Sequence, residues 1–301
     1  VLTVVLATAG VVPAFGPVAA QGYKQQYPEL VFAIVPAENA SGVTERYQPF
    51  AEHLARELGV KVTLRIANDY AAVIEGMRAG NIHIGYYGPS SYVRAWTVTQ
   101  GGVEPFLTTI NADGSIGYYS VAYARSSDPG SKIEDFKGKN LCLVDPNSTS
   151  GGNVPLFALN KLNIQPDKFF ARVVYAGSHE NAVTAIVQGT CDVGFNWWNS
   201  DTDSNLARMV TKGMVRAGEL KSVFRSDLIA GSPYAYLKSL PPELKTAINK
   251  AFVEAPRSAK AAFDRLSDGK DAGFQPVTHV DYEPAVELQK FVDDLRRRRG
   301  S

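Results

Sequence analysis

From Leu30 onward the chain alternates strand and helix signals, breaks at Gly117, and then begins the same alternation again. Few folds accommodate that order. Val31-Phe32-Ala33-Ile34-Val35 is a continuous apolar run of strand type, and Tyr47, Phe50, Leu54 and Leu58 recur at helical spacing behind it. Gly59 is placed to stop that helix, residues 60–66 alternate as a strand, Asp69 can cap a short helix through Met77, and residues 82–87 form a third strand. After Gly117 come an extended aromatic run at 118–124, a strand at 140–144, a helix at 154–162, a strand at 172–175, a helix at 178–187 and a strand at 191–195. A further extended segment covers 222–229, and helices led by Pro241-Pro242-Glu243 and Glu283-Pro284 follow. Two βαβαβ series predict an α/β protein of two lobes, each a parallel-rich sheet flanked by helices, joined by two crossing strands. The expected boundaries are 28–120 plus 226–301 for lobe one and 121–225 for lobe two.

With 301 residues, 45% of them hydrophobic and 20% charged, the chain can bury a core in each lobe. Its formal net charge of +1 provides no global attraction to nucleic acid. The first 20 residues are uncharged, open on an apolar run and end in Val18-Ala19-Ala20-Gln21, so they read as the remainder of a secretory signal cleaved after Ala20. No later segment reaches the roughly 18 apolar residues of a membrane span, which predicts an exported chain that does not insert in the membrane. Cys142 and Cys191 each open a strand-like run. Bridging adjacent parallel strands is geometrically difficult, so two buried thiols are expected here, although a disulfide stays open. Neither cysteine has metal-ligand spacing, and no HExxH, CxxC or Walker-type loop is present, so no metal or cofactor is expected.

The chemistry concentrates at strand ends. Asp145-Pro146-Asn147-Ser148-Thr149-Ser150-Gly151-Gly152 lies between a buried strand and a helix with Pro155 in its first turn. There free amides, hydroxyls and the positive end of a helix can receive an oxyanion. His179, in the first turn of the next helix, can present a ring N–H to the same anion. Trp197-Trp198-Asn199 at a further strand end would wall the cleft, while Tyr70 approaches from the other lobe and Tyr118 or Tyr119 from a crossing strand. Tyr118 and Tyr119 occupy opposite faces of one strand, so only one of them can reach the ligand.

The blocks Asn68 through Arg78, Asn111 through Val121, Asp145 through Gly151 and His179-Glu180-Asn181-Ala182 together resemble the periplasmic phosphonate-binding proteins of ABC importers, over most of the mature chain. The resemblance implies a type II-like periplasmic binding fold, a small phosphorus oxyanion as ligand and an inner-membrane ABC permease as partner. It implies that Ser148, Thr149, Ser150 and His179 hold the oxygens with Tyr70 and Tyr118 opposite. At the ligand's other end this chain departs from the family, with Trp197 or Trp198 filling the space of a tail, and Trp198 and Asn199 are the expected contacts there. Relatives that take aminoalkylphosphonates place two carboxylates around the ammonium, where this chain has Asn199 and Ser232. Burying an unpaired ammonium is costly. The reading is therefore phosphite, hypophosphite or methylphosphonate, with 2-aminoethylphosphonate, phosphate or sulfate as the alternative. An esterase using Ser148 and His179 fits less well, because the serine has no strained glycine-flanked elbow and the histidine no orienting acid.

Overall fold

The computed structural model describes residues 19–300. The secretory-signal reading of residues 1–20 therefore lies, but for its last two residues, outside the described residues.

The described chain opens with α1 (Ala19–Gln26), β1 (Glu29–Ile34), α2 (Ala40–Leu58), β2 (Lys61–Ile66), α3 (Tyr70–Arg78), β3 (Ile84–Tyr86), α4 (Pro89–Val98) and β4 (Val103–Asn111). It continues with β5 (Tyr119–Arg125), β6 (Asn140–Leu143), a π turn (Thr149–Asn153), α5 (Val154–Lys161), α6 (Pro166–Phe169), β7 (Arg172–Tyr175), α7 (His179–Val187), β8 (Val193–Ser200), β9 (Asp203–Ser204), α8 (Asn205–Thr211) and β10 (Leu220–Arg225). It closes with β11 (Pro233–Leu237), α9 (Pro242–Ser258), α10 (Lys260–Ser267), β12 (Asp271–Pro276) and α11 (Glu283–Gly300). Local chemistry sets the ends as expected. Gly59 takes the left-handed conformation (φ 63°) that closes α2, and the Asp69 carboxylate accepts from the Ala72 amide at 2.7 Å to open α3.

The strands form two sheets, ordered β12-β4-β11-β3-β1-β2 and β10-β5-β8-β6-β7, with β9 paired to β8. β1, β2 and β3 are parallel in the first sheet, as are β6, β7 and β8 in the second. The remaining halves are antiparallel, because β11 enters between β3 and β4 from the other lobe and β5 pairs with β10 and β8. Both sheets are thus mixed. Strand β4 escaped the sequence reading: Pro105 interrupts its pattern, and it sits beside a register shift where a missing N–H is tolerated.

Two segments cross between the sheets and touch on the way. Tyr118 and Ile229 exchange backbone hydrogen bonds of 3.1 and 2.8 Å. Helix α11 adds a third tie, since Leu288, Phe291, Val292 and Leu295 pack in the core formed by Phe195, Leu141 and Leu156, while Asp293 accepts from Arg94 of α4 at 2.7 Å. The lobes are closed on each other: the Asn39 amide donates to Glu180 at 2.8 Å, Lys212 to Glu38 at 2.8 Å, and the Ser90 amide to Thr149 Oγ1 at 2.9 Å.

Cys142 and Cys191 are bonded, which corrects the expectation of two thiols. Strand β8 begins only at Val193, and Cys142 is opposite Gly194 in the ladder, so Cys191 belongs to the turn before the strand. The bridge therefore runs from a strand to a loop with a Cα–Cα separation of 5.8 Å, inside the range a disulfide spans.

Candidate functional site

A cavity of about 130 Å³ lies between the two sheets. Tyr70, Tyr118, Ser148, Thr149, Ser150, His179 and Asn199 all line it. Trp198 does not. Alternation along β8 sends Trp197 and Asn199 to the cavity and turns Trp198 away, edge-on to Tyr119 at 5.6 Å with its indole N–H on Asp201. Trp197 therefore replaces Trp198 as the aromatic wall, and Arg208 lies over its ring at 4.7 Å.

One end of the cavity is built by the turn after β6. Ser148 caps the π turn, its Oγ accepting from the Gly151 amide at 3.1 Å. The glycines are required: a Cβ on Gly152 would collide with the Asp145 carbonyl, and one on Gly151 with the Val144 side chain. Thr149 Oγ1 is occupied as an acceptor by the Ser90 amide, so its own hydrogen remains for a ligand. Ser148, Thr149 and Ser150 are all buried. Tyr118 reaches Thr149, Ser150 and Ser232, and burial pushes its phenol up to about 12. Burial likewise raises Tyr70, whose phenol lies beside Ser148. Both phenols are neutral donors at any working pH.

His179 is buried, and burial lowers its pKa to about 3, with the bond to Asn196 opposing. Its Nδ1 lies 3.1 Å from Asn196 Oδ1 and its Nε2 3.5 Å from Ser148 Oγ. Asn196, the residue that orients this imidazole, was missed by the sequence reading, although a polar side chain at an inward position of an apolar strand was a visible signal.

The far end of the cavity was also missed. Glu38, Arg46, Asp203, Arg208 and Asp271 line it. Arg46 bonds to Glu38 at 2.7 Å, Arg208 lies 3.2 Å from Asp268 and 3.9 Å from Asp203, and Asn199 donates to Asp203 at 2.7 Å. Burial first, and then Asp203, push the Asp271 carboxyl up to about 7. The premise that the ligand's tail meets no acid is corrected: Asn199 and Ser232 carry none, but β9 and β12 bring carboxylates from outside the blocks that carry the resemblance. Among the described residues no group of side chains could hold a metal ion.

Two mixed sheets closed over a small cavity of hydroxyl and amide donors define a two-lobed α/β solute-binding protein. The chain belongs to the ABC-transporter phosphonate periplasmic substrate-binding proteins, whose family model matches residues 32–282. It is 34% identical over 274 residues to the phosphate-import protein PhnD of Mycolicibacterium smegmatis, covering 85% of this chain and 84% of that one. It is 33% identical over 277 residues to the phosphonates-binding periplasmic protein of Escherichia coli, covering 89% of this chain and 78% of that one. The crystal structure of PA3383, a binding component of a phosphonate ABC transporter from Pseudomonas aeruginosa, matches with a TM-score of 0.78 at 28% identity, covering 88% of this chain and 86% of that one. These relatives are transport proteins, and among the described residues no helix is long and apolar enough to cross a membrane.

Proposed function

We propose that this protein captures a small phosphorus oxyanion (phosphite, hypophosphite or methylphosphonate) in the interlobe cavity and hands it to an inner-membrane ABC permease. The observation that carries this reading is the convergence of Ser148, Thr149, Ser150, Tyr70 and Tyr118 on one buried cavity with no unbalanced cation among them. Neutral dipoles can replace the hydration shell of a compact anion, and each hydrogen bond to a charged group contributes about 1.5–3 kcal/mol. Size supports it: a cavity of roughly 150 Å³ holds benzene, so about 130 Å³ admits a head group of five or so heavy atoms and excludes a nucleotide.

Calorimetry against an oxyanion panel tests the reading. Phosphite and methylphosphonate are expected to bind roughly ten- to a hundredfold tighter than phosphate, whose extra hydroxyl would be buried without a partner at a cost of about 1–3 kcal/mol. Equal or tighter binding of phosphate would overturn it. A second reading, 2-aminoethylphosphonate, is favoured by one observation: Asp203 lines the cavity with one carboxylate oxygen lacking a hydrogen bond. If the aminoethyl compound binds tightest and Asp203→Asn removes its advantage, that second reading replaces the first.

Delivery to a permease of this class requires export, for which residues 1–20 would serve as signal. Periplasmic material from an exporting host is expected to begin at Gln21. Retention of the unprocessed chain in the cytosol would refute this.

A further inference from the structure

We infer that the site selects an oxyanion that still carries a proton, because His179 faces the cavity as a hydrogen-bond acceptor and not as the donor its position suggested. The inference rests on the proposed phosphorus-oxyanion function and narrows its ligand class.

The reasoning starts from Asn196, whose amide orientation is set by two backbone groups of fixed polarity. Its Oδ1 accepts from the Trp197 amide at 3.0 Å, and its Nδ2 donates to the His179 carbonyl at 2.9 Å. Flipping the amide would set N–H against NH₂ and C=O against C=O, breaking both bonds. Oδ1 is therefore the atom that meets His179 Nδ1 at 3.1 Å, and Nδ1 must carry the hydrogen. A neutral imidazole protonated on Nδ1 has a bare lone pair on Nε2. Burial keeps the ring neutral, lowering its pKa to about 3.

Proton counting at Ser148 completes the argument. Ser148 Oγ spends a lone pair on the Gly151 amide and owns one hydrogen, and it sits 3.5 Å from Nε2. At 3.5 Å the contact with Nε2 is too long to hold that hydrogen, which turns to the ligand, and Nε2 then offers only a lone pair. This pair of residues therefore confronts the ligand with one acceptor. A fully deprotonated oxyanion has nothing to give it, so two lone pairs would face each other across the contact. A monoprotonated phosphonate or phosphite satisfies every group: its P–OH donates to Nε2 and its other oxygens accept from Ser148, Thr149, Tyr70 and Tyr118. Sulfate and sulfonates, which carry no proton near neutral pH, are disfavoured, and so is hypophosphite relative to phosphite.

The titratable neighbours are Tyr70 from α3, Tyr118 from the crossing strand, Asp145 ahead of the turn, Glu180 on the histidine's own helix and, across the cavity on β12, Asp271, whose carboxyl is raised to about 7 and ionises within the range of the test. The phenols are held neutral by burial, Glu180 is paired with Lys212, and Asp145, raised by burial, accepts from the Asn147 amide. Two ligands with different second pKa values separate their titration from the ligand's.

The experiment is calorimetric titration of the mature protein with methylphosphonate, phosphite and methanesulfonate between pH 5.5 and 9. Methanesulfonate matches the methylphosphonate monoanion in charge and shape and lacks only the proton. It is expected to bind at least roughly a hundredfold more weakly. For the phosphorus acids, Kd should be flat below the ligand's second pKa and rise roughly tenfold per pH unit above it, with the break moving when the ligand is changed. Asn196→Asp, which keeps an acceptor on Nδ1 and favours a proton on Nε2, should flatten that rise and improve methanesulfonate binding. Nitrogen-15 spectra of the His179 ring should show Nδ1 protonated and Nε2 bare. A Kd independent of pH through the ligand's second pKa, or a proton on Nε2 in the free protein, would overturn the inference. If neither phosphorus acid binds at any pH, the proposed function itself fails.

Discussion

A Gly88→Val variant is expected to lose oxyanion binding by roughly a hundredfold or more while melting close to the parent. Gly88 precedes α4, and a Cβ there would stand 2.7 Å from Thr149 Oγ1 and 3.5 Å from the Tyr118 hydroxyl. The added side chain would fill the cavity at its oxyanion end and part the Ser90–Thr149 bond that joins the lobes. Two hydrogen bonds to a charged ligand, at about 1.5–3 kcal/mol each, account for that loss. The backbone does not oppose the change, since φ of −77° and ψ of 161° suit any L-residue. Calorimetry for affinity and a thermal melt of the free protein decide it. Full affinity in the variant would mean that the ligand does not sit between Gly88 and the Thr149 turn.

The double variant Cys142→Ser/Cys191→Ser is expected to lose about 4 kcal/mol of stability, from the loop-closure entropy of a cross-link spanning 49 residues. For a chain of 301 residues that corresponds to a fall in Tm of roughly 5–8 °C. The bridge does more than shorten the unfolded chain. It joins β6, which carries the Ser148 turn at its C-terminal end, to the turn after α7, which carries His179 at its start. Weaker oxyanion binding should accompany the lower Tm, because β6 and α7 would lose one of the ties that fix the Ser148 turn relative to His179. Scanning calorimetry of the parent with and without reductant, beside the double variant, is the measurement. A Tm within a degree or two of the parent would show that the packed surroundings of the two sulfurs already supply the constraint.

The loss of Trp198 and the gain of Trp197 show what local reading can and cannot carry. Period-two alternation says that these neighbours face opposite ways, but not which face looks inward. That was decided by the pairing of β8 with β5, where Tyr119 stands opposite Trp198 and covers it. The cysteines follow the same logic. Their strand-like surroundings were legible, but where β8 starts depends on its register against β6, and that register moves Cys191 into the turn where a bridge is possible.

His179 illustrates the limit at the level of single hydrogens. Its place at the start of α7, beside three hydroxyls, was evident from the chain alone. The sense of its hydrogen bond was not, because that depends on Asn196, 17 residues away, and on two backbone groups that orient it. The arginine and carboxylate cluster at the far end of the cavity is more distant still: Glu38, Arg46, Asp203, Arg208 and Asp271 come from elements of both lobes.

The sequence by itself determined the helix caps, the alternation of strands and helices, and the hydroxyl-rich strand-to-helix turn Ser148-Thr149-Ser150, because these are interactions between residues within a few positions of one another. Only the tertiary structure decided the antiparallel halves of the sheets, the disulfide, the inward tryptophan, the charged end of the cavity and the tautomer of His179. Each of these is set by the register and docking of elements far apart in the chain, a choice that backbone pairing and close packing make jointly and that no local pattern records.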